Sequence, residues 1–148
     1  MTANATAICN SFKIELLKGF HAFNSDFRTA DTFKAALYTQ NQGMGAGTTA
    51  YTTAGEVSGS GYTAGGVPVT FVAPALSGGS SAVTTPTANI VFPAITIASP
   101  FDCALVYNAS QGNRAVGVYA FAAQSINNAD MTLIVPADGQ GQALVEID

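Results

Sequence analysis

Apolar residues recur at every second position in run after run along this chain, and a period of two is the signature of β-strands. The runs are Phe33, Ala35, Leu37; Val67, Val69, Phe71, Ala73; Ile90, Phe92, Ala94; Cys103, Leu105, Tyr107; Val116, Val118; Met131, Leu133, Val135; and Ala143, Val145, Ile147. Between them stand turn formers, namely Gly78-Gly79-Ser80-Ser81, Ser99-Pro100, Gln111-Gly112-Asn113, Asn127-Asn128 and Asp138-Gly139. Short strands separated by such residues predict a mainly β protein, an antiparallel β-sandwich or barrel of about seven strands. Pro68, Pro74 and Pro93 fall inside predicted strands. Proline has no N–H for the ladder, so those strands should be edges or carry bulges.

The N-terminal segment reads differently. Asn10 to Lys18 has helical spacing, with Phe12 and Leu16 on one row, Ile14 and Leu17 on another, Asn10 or Ser11 as N-cap and Gly19 as the stop. Phe20, Phe23 and Phe27 extend an apolar stripe that should pack on the core. Four of the five basic residues, Lys13, Lys18, Arg28 and Lys34, lie in this segment, and from Ala35 to Phe101 the only charge is Glu56. A length of 148 residues suits one domain. We therefore expect a single β-sandwich domain over 1–148, with a helical segment at 1–34 and a long Gly/Thr-rich loop at 40–66. A loop of that length inside a domain is usually functional or anchored by something else.

Several function classes are disfavoured. Five basic residues and a net charge of -4 give no footprint for a phosphate backbone, so nucleic acid is not an expected partner. No apolar run approaches the ~20 residues that cross a bilayer, and Met1-Thr2-Ala3-Asn4 does not open a signal peptide, so no membrane association is expected. Cys9 and Cys103 form no metal or redox motif and read as buried free thiols. His21 is the only histidine and no serine sits in a G-x-S-x-G elbow, so a hydrolytic triad has no components. His21 is better read as a structural hydrogen-bonding group at the helix end, where the dipole favours a cation. Asp26 and Asp31 belong to no calcium-type loop, Glu56 and Asp102 are not spaced as a glycosidase pair, and Gly43-Met44-Gly45-Ala46-Gly47 lacks the lysine of a phosphate loop. Neither an enzyme, a metal nor a cofactor is expected.

Composition points instead to assembly. Only 9% of residues are charged, against roughly a quarter in ordinary soluble domains, which is little to keep a whole surface in water. Burial of that surface against neighbours would remove the problem and stabilise the contact by ~25 cal/mol per Å² of apolar area before association costs.

A family resemblance gives the assembly a setting. Phe12-Lys13, Glu15-Leu16, Gly19 and His21, then Asp31 to Tyr38, Thr49 to Thr53 and Gly55 to Gly66, with Ala104 to Asn108 and Gly112 to Val116, resemble small virion proteins of tailed bacteriophages. The resemblance implies a non-enzymatic structural protein, a capsid decoration or cement protein on the outer surface of the virion. Its partners would be the major capsid protein and copies of itself. Candidate contacts are Phe12, Lys13, Tyr51, Glu56, Tyr62 and Arg114, with Glu56 and Arg114 expected in specific pairs because lone charges are costly to desolvate. The alternatives are a tail, neck or fibre component, and a carbohydrate-binding module using Tyr51, Tyr62 or Tyr119 as stacking platforms.

Overall fold

The computed structural model describes residues 2–136 and 143–147. In chain order its elements are β1 (Ala7–Ile8), α1 (Asn10–Leu17), β2 (Phe33–Thr39), β3 (Val67–Val69), β4 (Ala75–Ser77), β5 (Ser81–Thr84), β6 (Ile90–Asn108), β7 (Arg114–Leu133) and β8 (Val145–Ile147). The fold is mainly β and sandwich-like. One antiparallel sheet has the order β1-β7-β6-β2-β3 and the other β4-β5-β8.

Two long strands replace four of the short ones expected. Ser99-Pro100 does not turn the chain but lies in a register break of β6 between Ile97 and Phe101, and Asn127-Asn128 lies in β7 between the partners of Ile97 and Ile95. Pro93 and Ala94, the latter at φ 47, fill a third break between Phe92 and Ile95. The β6–β7 ladder continues on both sides of each break, so residues that cannot keep the regular ladder become bulges that bend it. Three short strands, β1, β4 and β5, carry too little alternation to be read in advance. The turn at Gly78-Gly79, both at positive φ, joins β4 to β5 as expected. The Gln111-Gly112-Asn113 turn joins β6 to β7. The predicted Asp138-Gly139 turn lies outside the described residues.

β2 is buried on both faces rather than half-buried. Phe33, Ala35 and Leu37 face one side and Ala36 and Tyr38 the other, and all are in the core. On the first side Phe23 stacks on Phe33 at 4.9 Å and Phe71 meets both rings edge-on. On the second, the 40–66 loop closes over the sheet, with Tyr38 Oη donating to Thr52 O at 2.6 Å and Tyr107 Oη to Gly65 O at 2.7 Å. Gly66, at φ 74, runs so close to β2 that a Cβ there would collide with the Ala35 carbonyl oxygen. Pro68 sits in β3, at the sheet edge, as its missing donor requires.

Helix α1 has the predicted extent but a different N-cap. Cys9 takes the N-cap position without a side-chain capping bond. Cys9 N donates to Val116 O and Asn10 N to Ala46 O, so attachment to β7 and the loop fixes where the helix begins. At the other end Gly19 N donates to Leu16 O and Phe20 N to Glu15 O, a Schellman closure that needs the positive φ of Gly19.

Candidate functional site

A buried polar knot ties the N-terminal segment to the β6–β7 hairpin. Asn108, fully buried at the end of β6, donates from Nδ2 to Asp31 Oδ2 at 2.7 Å and to His21 Nδ1 at 3.0 Å. His21 Nε2 faces Glu15 Oε2 at 3.1 Å, and Arg114 donates to the other Glu15 oxygen at 2.6 Å. Arg28 grips Asp31 through Nη1 and Nη2, at 2.6 and 3.0 Å, while Ala22 N and Gln111 Nε2 add two more donors.

This network fixes the histidine tautomer. A carboxylate opposite Nε2 requires a proton there, and the Asn108 amide donating to Nδ1 requires a lone pair. The ring is neutral in this arrangement, and a second proton would face the amide N–H. Burial lowers the His21 pKa, against the raising effect of Glu15 and Asp31. The expectation of a structural hydrogen-bonding histidine agrees with this geometry, but the helix-end cation does not, because Nδ1 already faces the Asn108 amide and burial disfavours the charged ring. Burial by itself would raise the Asp31 carboxyl; the donors from Arg28, Ala22, Asn108 and Gln111 together hold it well below the usual carboxylate range.

The second cluster lies in the 40–66 loop. Glu56 accepts from Tyr51 Oη at 2.7 Å, from Tyr62 Oη at 2.8 Å and from Gly65 N at 2.7 Å. Tyr62 Oη in turn receives Leu37 N at 3.0 Å, and Tyr51 stacks on Tyr107 at 4.7 Å. Among the described residues no cation meets Glu56, so its expected pairing is made with neutral donors instead. The same carboxylate raises both tyrosine pKa values after burial has done so, Tyr51 to about 12.

The six predicted contact residues do not form one surface. Tyr51, Glu56 and Tyr62 form one cluster that anchors the loop. Arg114 joins the knot, its guanidinium also lying 4.3 Å from the centre of the Phe20 ring. Lys13 is exposed on α1, reaching only Asn10 Oδ1 at 3.4 Å. Phe12 is 1% exposed and belongs to the core, against Phe23 and His21. It corrects the expectation of a surface contact: the helix row carrying Phe12 is the one turned inward.

The opposite row is free. Leu17 is 89% exposed, Ile14 58% and Phe27 95%, so the stripe through Phe20, Phe23 and Phe27 does not all pack inward as its spacing suggests. Only Phe23 enters the core cluster. Asn108 and Asp31, which hold this segment in place, carry no spacing signal that links them. The lone histidine beside a helix end was the one visible clue. Cys9 and Cys103 are free and buried, with burial pushing the thiols up to about 11 and about 12. Among the described residues no helix is long and apolar enough to cross a membrane, and no three acidic, cysteine or histidine side chains gather as a metal site. No protein-family model, curated protein or solved structure matches the chain.

Proposed function

We propose that this chain is a structural protein of a tailed-phage virion, a decoration or cement protein that docks its N-terminal lobe on the major capsid lattice and stabilises it. The observation that carries this reading is the exposure of Leu17 and Phe27 on a segment that the Glu15–His21–Asn108–Asp31 knot holds in place. Large apolar side chains on a fixed support suit a preformed contact, because little conformational freedom is lost on binding. The sparse charge and the sequence resemblance to small virion proteins supply the setting. Many such contacts over a lattice add through multivalency. The reading assigns the protein no catalytic role.

A carbohydrate platform is less favoured, since the Tyr51 ring already stacks on Tyr107 and both loop tyrosines spend their hydroxyls on Glu56. The test is a copy count in purified virions by quantitative mass spectrometry. Copies in proportion to the major capsid protein support cementing. A ring-like handful per particle favours a tail, neck or fibre position, and absence from the particle overturns the proposal.

A further inference from the structure

Residues 20–32 form neither helix nor strand. Of their apolar side chains only Phe23 packs on the hydrophobic core. Polar bonds supply most of the other attachments. Asn108 reaches His21 and Asp31, Gln111 reaches Asp31, and Thr32 N donates to Ser110 Oγ at 2.9 Å. A segment with so few buried apolar contacts can open while the sheet beneath it stays formed.

The Asn108 amide is fixed in orientation. Its Nδ2 gives one proton to Asp31 Oδ2 and the other to His21 Nδ1, while Oδ1 accepts from Ser110 Oγ at 3.0 Å. Turned over, Oδ1 would face the Asp31 carboxylate. A proton on His21 Nδ1 therefore meets an N–H that has no good alternative. The charged groups around the ring do not offset this conflict. Glu15 of α1 already pairs with Arg114 of β7, and Asp31 of the same segment with Arg28, so an imidazolium would be a third cation among two carboxylates. Burial disfavours the charged ring further, whereas Asp31 is held well below the usual carboxylate range and stays ionised where an imidazole titrates.

We propose that His21 is a proton-operated latch: a proton on Nδ1 breaks the Asn108 bridge and releases residues 20–32 from the β6–β7 hairpin while both sheets stay folded. Phe27 then loses its fixed support, so acid weakens docking by the N-terminal lobe. That consequence rests on the reading of the lobe as the capsid contact; the latch itself does not. The sign follows from linkage. A ring freed into water takes up its proton near the unperturbed 6.5, more readily than the latched ring, so release is favoured as pH falls below that value. One proton changes the balance by up to about tenfold per pH unit.

Amide hydrogen exchange on the full chain, from about pH 7.5 to about pH 5, tests the latch. After correction for the intrinsic pH dependence of exchange, protection over 20–32 should fall by up to about tenfold per pH unit below 6.5. It should stay lower throughout than at Ala104, Leu105 and Val106 in β6. NMR of the single histidine should place the ring's own midpoint below 6.5. His21→Gln, which can still donate toward Glu15 and accept from Asn108, should make protection over 20–32 independent of pH. A ring midpoint at or above 6.5, protection over 20–32 that ignores pH in the unmutated protein, or its loss together with β6 as one event overturns the latch. So does a release that persists in His21→Gln. Binding to virions lacking this protein, followed by co-sedimentation, should weaken on the order of tenfold over the same range in the unmutated protein only, as the latched fraction falls. Binding that ignores pH while the segment opens overturns the role in docking; absence of the protein from virions overturns the virion reading and leaves the exchange result standing.

Discussion

Neutral His21 makes the knot sensitive to acid. Its pKa is lowered in the fold, so the unfolded chain binds the extra proton more readily, and stability is lost as pH falls below the unperturbed 6.5. Asp31 has the same sign in a lower window: its stabilisation is present above 3.8 and is lost as pH falls toward its depressed value. Thermal melts should therefore show stability falling in two stages, below about pH 6.5 and again below about pH 4. With one histidine in the chain, His21→Gln should remove the first stage only. Glu56 makes a sharper case, because Glu56→Ala strands two tyrosine hydroxyls and Gly65 N. A loss of about 2–4 kcal/mol in denaturant unfolding is expected, with Glu56→Gln costing less since its amide oxygen still accepts. Sequence isolation singled out Glu56 and Arg114 as charges needing partners. It could not say which partners, because a hydrogen bond depends on which distant residues the fold brings within 3 Å.

Among the elements, the Schellman closure of α1 and the bends of the β6–β7 hairpin show local chemistry read at two ranges. Gly19 was legible as a helix stop because only glycine enters its positive φ cheaply. Gly19→Ala should cost about 1 kcal/mol, seen as a lower midpoint in urea. Ser99-Pro100 and Asn127-Asn128 have equally clear turn chemistry, yet they serve as bulges within continuous ladders. A residue unable to follow a regular ladder ends a strand or bends it, depending on whether a partner strand runs past it. β6 and β7 run past each other, and the period-two pattern contains nothing about that.

For the molecule as a whole, low charge leaves apolar groups at the surface, and the fold decides which ones. Leu17→Asp with Phe27→Asp should leave thermal stability within about 0.5 kcal/mol, since both side chains are solvent-facing. The same variant should no longer bind virions lacking this protein, measured by co-sedimentation; undiminished binding would place the contact elsewhere. The fold class, the helix with its glycine stop, the edge position of Pro68 and the sparse charge followed from the amino-acid order, because periodicity, φ preference and missing donors act within a few residues. Tertiary structure alone decided that Phe12 points inward while Leu17 and Phe27 point out, that Asn108 joins His21 to Asp31, and that Ser99-Pro100 and Asn127-Asn128 bend a continuous hairpin. Those outcomes depend on contacts between segments as much as 99 residues apart, and local preference carries no record of which segments will meet.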